Sequence, residues 1–425
     1  MPYQEHIALF AWAALGAVLL DRRLDFHYLG SVRMLQFKCA MTDKCRLTSP
    51  ILLTMAILSY CSGAGVAAAR DVVSESGAAE DIQKAAEVAR PGDSIIIPKG
   101  KFPFHGQVFL PDGVSIRGAG KNDTLLVKDD RLSEWKPMFS VDCKTGKPFS
   151  FSGITMQGAG RELQASTVSS DHIQDQGVVL RGKCRDFRIF GNRFTKFSRA
   201  GIELNGDNGS ILGEPFGVIF ENEFIDNWSP GLGYGVAVNG SATAWFQPLA
   251  LGTGHAVFIE DNYFEANRCA IQANNGARYV FRHNQISNNR EDSCAICAHG
   301  KGPWPRGTRS FEIYDNKLHN DQRRWAGIFL GGGTGVIFDN DLDGVYNGII
   351  LSIEVDTQTA TQYPYQDQIA DTWIWNNTAN GQPVNTVTFR NRIDAEFVQQ
   401  SRDFFVQRRP DYQTFPYPHP LRQSP

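Results

Sequence analysis

The sequence predicts an all-β solenoid, a single stack of short strands that pair with their counterparts one repeat away. Three observations predict it. A pattern of apolar, any, apolar, any, any, Asn, any, apolar recurs along the chain. A second element of period two, most often closing on glycine, accompanies the copies. No helical period separates the two, so neither element has a helix to pack on and each must stack on its own repeats.

Composition sets the outer bounds. The 425 residues carry 42 Lys and Arg against 45 Asp and Glu, a formal charge of −3. Apolar residues make up 42% and charged residues 20%, the balance of a packed globular chain rather than a disordered one. Near-neutral charge, with pI about 6.3, gives no electrostatic footprint for nucleic acid.

The first element in chain order is an export segment. Lys44 and Arg46 precede an apolar run from Pro50 to Tyr60, and Ala67-Ala68-Ala69 follows. A positive region, an apolar core and a small-residue site make a secretory signal, with cleavage expected after Ala69. Met34 or Met41 then serves better as the start than Met1, and residues 1–33 read as a gene-model extension. Two rivals exist: a lipoprotein modified at Cys61, where Tyr60 occupies a position that wants a small residue, and a membrane anchor in Ile7–Leu20. The processed chain, with 36 basic and 41 acidic residues, carries −5. It is expected to be an exported monomer with no stable membrane span.

A short amphipathic helix follows at Glu80–Ala89, ended by Arg90-Pro91-Gly92 and succeeded by strands in SIIIPKG and GVSIRGAG. The repeats then begin. The first pattern reads FRIFGNRF at Phe187–Phe194, VFIEDNYF at Val257–Phe264 and FEIYDNKL at Phe311–Leu318, with further copies around Asn222, Asn284 and Asn340 and a weaker one at Thr372–Thr378. The shared Asn192, Asn222, Asn262, Asn284, Asn316 and Asn340 are spaced 30, 40, 22, 32 and 24 apart. An amide at a fixed offset fits a turn residue that stacks on itself inside the coil. The second element reads AGIELNG at Ala200–Gly206, YGVAVNG at Tyr234–Gly240 and CAIQANNG at Cys269–Gly276. The β-helix is expected over residues 70–390, with a tail over 391–425.

These motifs resemble the right-handed parallel β-helix of the pectin-lyase-like superfamily, including its inward asparagine ladder. The helix followed by PGDSIIIPKG is similar to the start of many secreted members, and PYPHPL at Pro416–Leu421 is similar to the end of some uncharacterised ones. The resemblance implies a β-helix with an N-terminal capping helix. It spans lyases, hydrolases, epimerases and non-enzymatic adhesins, so function has to come from the site. The paired aspartates and Gly-His-Gly of polygalacturonases do not align around Ala298-His299-Gly300. Asp171-His172 lacks the setting of the calcium-dependent pectate lyases, and the Asp-Pro-His-Asp of mannuronan epimerases is absent.

Alternation in the second element assigns its outward residues. One column is Arg181, Asn205, Asn239, Asn274, His299 and Gly331, and its neighbour is Val179, Glu203, Ala237, Gln272, Cys297 and Phe329. The stripe spans about 19–24 Å at the sheet spacing, enough for several sugar rings. Insertions carrying Trp245, Phe246, Trp304, Tyr363 and Tyr365 emerge along its edge. Amides for hydroxyls and rings for sugar CH faces suit a carbohydrate, and an acidic polysaccharide is the expected partner.

A polyuronide lyase needs a cation for the uronate carboxylate, a base for the C5 proton and an acid for the leaving oxygen. His299 supplies a base or acid, and Arg306 or Arg309 a cation, with Arg181 or Tyr363 assisting. A glycoside hydrolase would need Glu203 and a second carboxylate such as Glu214 or Asp207. A binding protein needs neither arrangement. No cofactor is required by these readings. Calcium is the one metal considered, because Glu221, Asp261, His283, Asp315 and Asp339 form an acidic column beside the ladder, which otherwise reads as a hydrated turn edge.

Five cysteines remain after processing. Cys269 and Cys294 hold equivalent positions on adjacent turns, at a Cα separation of about 4.8 Å that a disulfide accepts. Cys143 and Cys184 precede equivalent strands and form a second candidate pair, leaving Cys297 as a spare thiol or, less simply, a nucleophile.

Overall fold

The computed structural model describes residues 68–128, 137–160, 175–210, 213–290, 293–302, 304–354 and 363–423. Nearly all of the expected export segment, Asp171-His172 and residues 355–362 lie outside the described residues. The rest is a right-handed parallel β-helix with faces of twelve, ten and eleven strands. Each neighbour along a face comes from the next coil. On the ten-stranded face the inward column Val178, Ile202, Val236, Ile271, Ile296, Ile328 and Ile349 stacks in unbroken register. Branched residues stacked this way fill a continuous core without loops to bury.

The recurring pattern spans a corner. Its first half lies on the twelve-stranded face, as in Arg185–Phe190, and its end opens the eleven-stranded face, as in Arg193–Thr195. The asparagine between them turns inward. The Asn222 side chain donates to Ile189 O at 2.8 Å, to Phe220 O at 3.0 Å and to the Asn262 Oδ1 at 3.0 Å. The same Oδ1 accepts the Asn222 backbone N–H at 3.0 Å. The ladder continues to Asn377, so the weak copy at Thr372–Thr378 contributes a rung. A second ladder lies at the next corner, where Asn227 donates to Asn267 at 2.8 Å and Asn289 N–H to Asn320 at 2.9 Å. Each rung satisfies buried backbone groups that the bend removes from the sheets.

The residue before each ladder asparagine has positive φ: Glu221, Asp261, His283, Asp315 and Asp339 all lie at 54–55°. Left-handed backbone favours Asp and Asn among non-glycines, and this conformation accounts for the acidic column. Arg422 ion-pairs with Glu221 and Asp261 at one end of it.

The ten-stranded face departs from strict alternation. Two consecutive residues point into the core, Ala270-Ile271 and Ala295-Ile296, and the flanking Cys269, Cys294 and Cys297 pack in a separate cluster outside the sheet. The first of each inward pair must be small. A Cβ on Gly235 would lie 2.6 Å from Phe264, and one on Gly201 within 3.0 Å of Phe194 and Phe224, rings that stack along the core. This double inward step corrects the cysteine assignment. It brings Cys294 and Cys297 to the same side, and they form a disulfide with each other. Cys269 therefore does not pair with Cys294 and keeps its thiol. Cys143 and Cys184 form the other disulfide, with Cα atoms 5.0 Å apart.

Helix α1 (Ala79–Val88) buries Ile82, Ala85 and Ala86 in the main core at the first coils. Beyond residue 390 the chain forms helix α2 (Arg392–Phe397) and adds Phe404–Phe405 to the twelve-stranded face. The final residues cross the outside of that face. Tyr412 and Phe415 cover Phe258 and Phe338, and Arg282, fully buried, donates to the carbonyls of Phe415 and Pro416.

Candidate functional site

A cleft of about 710 Å³ opens on the outer side of the ten-stranded face. Its floor is built by strand positions on successive coils: Tyr234, then Gln272 and Asn274, then His299. Its walls come from the residues just ahead of two strands, Arg199 and Arg268, from Trp304, and from the segment Ser352–Glu354 with Arg390 and α2.

Glu354 defines the centre. Its carboxylate accepts from His299 Nδ1 at 2.9 Å and from the Gly300 N–H at 2.9 Å. Burial alone would push this carboxyl up, but the His299 ring and the Gly300 N–H hold it below its ordinary value. A charged Glu354 fixes the proton on Nδ1 and turns Nε2 into an acceptor. Burial pushes the Tyr234 hydroxyl up to about 12, so it keeps its proton at neutral pH. Asn274 Nδ2 donates to Gln272 at 2.8 Å, while its buried Oδ1 has no partner among the described residues.

Of the expected site residues, His299, Gln272, Asn274 and Trp304 meet in this cleft. Others are committed elsewhere. Arg306 forms a bidentate pair with buried Asp367 and stacks over Trp245 at 4.6 Å. Arg309 donates to the Ala244 and Gln247 carbonyls. Trp245 in turn donates to Gly307 O, so the three hold two insertions together and do not line the cleft. The cations lining the cleft are Arg199, Arg268 and Arg390. Glu203 is buried, paired with Arg199 at 2.5 Å, and accepts from Gln176, Asn205 and Asn239. Those bonds leave it no access as a catalytic carboxylate, and they engage Asn205 and Asn239 through their side-chain N–H groups. Arg181, farther along the stripe, donates to Ser140 at 2.9 Å. Glu214 is buried, with Arg278 at 3.9 Å.

Sequence reading missed Glu354, Tyr234 and the three arginines. Arg199 and Arg268 carried a signal, since each immediately precedes an equivalent strand, Ala200–Asn205 and Cys269–Asn274. For calcium, the acidic column does not bring three carboxylates together among the described residues. No helix among them is long and apolar enough to cross a membrane.

Residues 152–355 match a protein-family model described as a right-handed β-helix region. No curated protein matches the chain. Among solved structures it is similar to an alginate lyase from Paenibacillus sp. str. FPU-7, with 17% identity, 66% of this chain and 96% of that one covered, and a TM-score of 0.42. A GH87 α-1,3-glucanase catalytic unit from Streptomyces thermodiastaticus gives 13%, 83% and 70%, and 0.45. A pectin methylesterase from Erwinia chrysanthemi gives 10%, 82% and 99%, and 0.40.

Proposed function

We propose that the cleft of this right-handed parallel β-helix binds an acidic polysaccharide and cleaves it by β-elimination. The observation that carries the reading is the His299–Glu354 contact inside a cleft that also presents Arg268 and Arg390. The arginines neutralise the uronate carboxylate, which acidifies the C5 proton. His299 Nε2 takes that proton. The C5–H electrons form the C4=C5 bond as the C4–O4 bond breaks, and the protonated His299 Nε2 passes its proton to the departing oxygen. Trp304 offers a ring face to a sugar.

Hydrolysis is less well supported. It needs one carboxyl that stays protonated and a second that acts as base or nucleophile. The carboxylates lining the cleft are Glu354, held ionised by His299, and Asp394, which accepts from the Ile353 and Asn391 N–H groups.

The reading includes export of a monomer. The Cys143–Cys184 disulfide suits an oxidising compartment, in keeping with the signal expected in residues 1–69.

The test is ultraviolet absorbance during incubation with a panel of polyuronides, with and without calcium. Elimination leaves an absorbing unsaturated end, and the signal should vanish in His299→Ala. New reducing ends without absorbance would move the assignment to hydrolysis. Neither signal, with retention on a polysaccharide column that His299→Ala leaves intact, would make the cleft a binding surface only.

A further inference from the structure

Beside the cleft lies a second constellation that the proposed chemistry does not use. The Sγ atoms of Cys269, Cys294 and Cys297 lie within 4.8 Å of one another, and all three residues are buried. Among the described residues they are the one group of three His, Cys, Asp or Glu side chains close enough to share a metal ion. Cys269 Sγ lies 3.5 Å from Cys297 Sγ, and Ser293 Oγ lies 3.4 Å from Cys269 Sγ. Around a tetrahedral zinc ion, Zn–S and Zn–O bonds of about 2.3 and 2.1 Å place sulfurs about 3.8 Å apart and a sulfur about 3.6 Å from an oxygen. The Cys269–Cys297 and Cys269–Ser293 spacings already approach that geometry, whereas the bonded Cys294 and Cys297 sulfurs must separate on reduction to reach it.

We propose that, when the Cys294–Cys297 disulfide is reduced, these three sulfurs and the Ser293 hydroxyl form a site for a thiophilic divalent cation of the zinc type. Charge favours a divalent ion. Three thiolates and one such cation sum to −1, and the Arg268 guanidinium, with Nη1 3.9 Å from Cys269 Sγ, offsets it. Tyr234, Phe329, Leu232 and Trp325 close an apolar shell around the sulfurs. Soft sulfur donors in such a shell select zinc over calcium or magnesium.

The disulfide and the metal are alternative states. A phosphine reductant and one water convert the S–S bond to two thiols and a phosphine oxide. The cation then displaces the three thiol protons. The ion would tie together strands Cys269–Asn274 and Cys294–Ala298, which carry Gln272 and lead into His299.

Cobalt(II) is the probe, because tetrahedral thiolate coordination gives visible bands and sulfur-to-metal charge transfer. The background is the full chain carrying Cys39→Ser, Cys45→Ser and Cys61→Ser. After phosphine reduction under anaerobic conditions, one equivalent of cobalt should produce the bands and zinc should abolish them. The unreduced protein should show none. Cys269→Ala and, read separately, Cys297→Ala should lose them while far-ultraviolet circular dichroism is unchanged. The double variant Cys143→Ser/Cys184→Ser should keep them. Absence of bands after reduction, their survival in Cys269→Ala, or their loss in the double variant would each overturn the site.

Discussion

Glu354 reaches back across an intervening coil to hold His299 Nδ1 at 2.9 Å, and it does so through the gap left by Gly331. A Cβ on Gly331 would lie 2.5 Å from Glu354 Oε2 and 2.7 Å from the Gly300 nitrogen. Gly331→Ala should therefore displace the carboxylate and press on the Gly300 backbone beside His299. Loss of such a buttress typically costs about 10- to 100-fold at sites where it orients a histidine. The expected result is a fall in kcat of that size with KM little changed. Glu354→Gln should match it. A Glu354→Gln variant with full turnover would remove Glu354 from the mechanism.

The asparagine ladder should be a main stabilising device of the coil. Asn262 accepts from the Asn222 N–H and side chain and donates to Ile219 O, Glu260 O and Asn284. Asn262→Ala strands several buried backbone groups, each worth about 1–3 kcal/mol when left unpaired. A loss of roughly 3–5 kcal/mol in urea unfolding is expected. Exposed Lys317→Ala on the same corner should stay within about 0.5 kcal/mol of the parent. Equal effects for the two would mean the ladder is ornamental.

The first ladder was legible because one amide recurs at a fixed offset between apolar pairs. The second was equally available, since Asn227, Asn267 and Asn289 each follow a first-ladder asparagine by five residues. It was missed because its flanks vary more. The floor of the cleft followed from two outward columns of the sheet, Asn274 and His299 in one and Gln272 in its neighbour. Glu354 did not, because its contact depends on a missing side chain at Gly331 rather than on any motif. The cysteines misled through an assumption: strict alternation separates Cys294 from Cys297, whereas two successive inward residues bring them together.

Glu312 gives the fold a defined pH response. Burial pushes its carboxyl up to about 7 from 4.5, against the opposing pull of the Tyr412 hydroxyl and the Gly252 N–H. The native state then binds more protons than the unfolded state between those values, so stability is full below pH 4.5 and falls as pH rises through about 7. The loss is on the order of 3 kcal/mol, at about 1.36 kcal/mol per pKa unit. Glu312→Gln mimics the protonated side chain and keeps both partners. Its melting temperature should change less than the parent's between pH 5 and 8, roughly. Parallel curves for the two proteins would assign the slope to other groups.

Arg282 is the link between the sheet and the C-terminal strap. It is fully buried, pairs with Glu260 at 2.6 Å, and donates to Tyr314, Phe415 O and Pro416 O. Glu260 also accepts from the His419 N–H and from Arg422, so one carboxylate anchors the strap at several points. Arg282→Met removes the bonds to both strap carbonyls but leaves Arg422 to balance Glu260. Breaking a buried pair costs about 3–5 kcal/mol when its partner is left bare. The remaining arginine should hold the global loss below that and concentrate the effect on the strap. Limited proteolysis should then cut within residues 404–423 well before the coils in the variant, while the parent resists. Simultaneous degradation of strap and coils in Arg282→Met would instead show that the strap and the β-helix unfold as one cooperative unit.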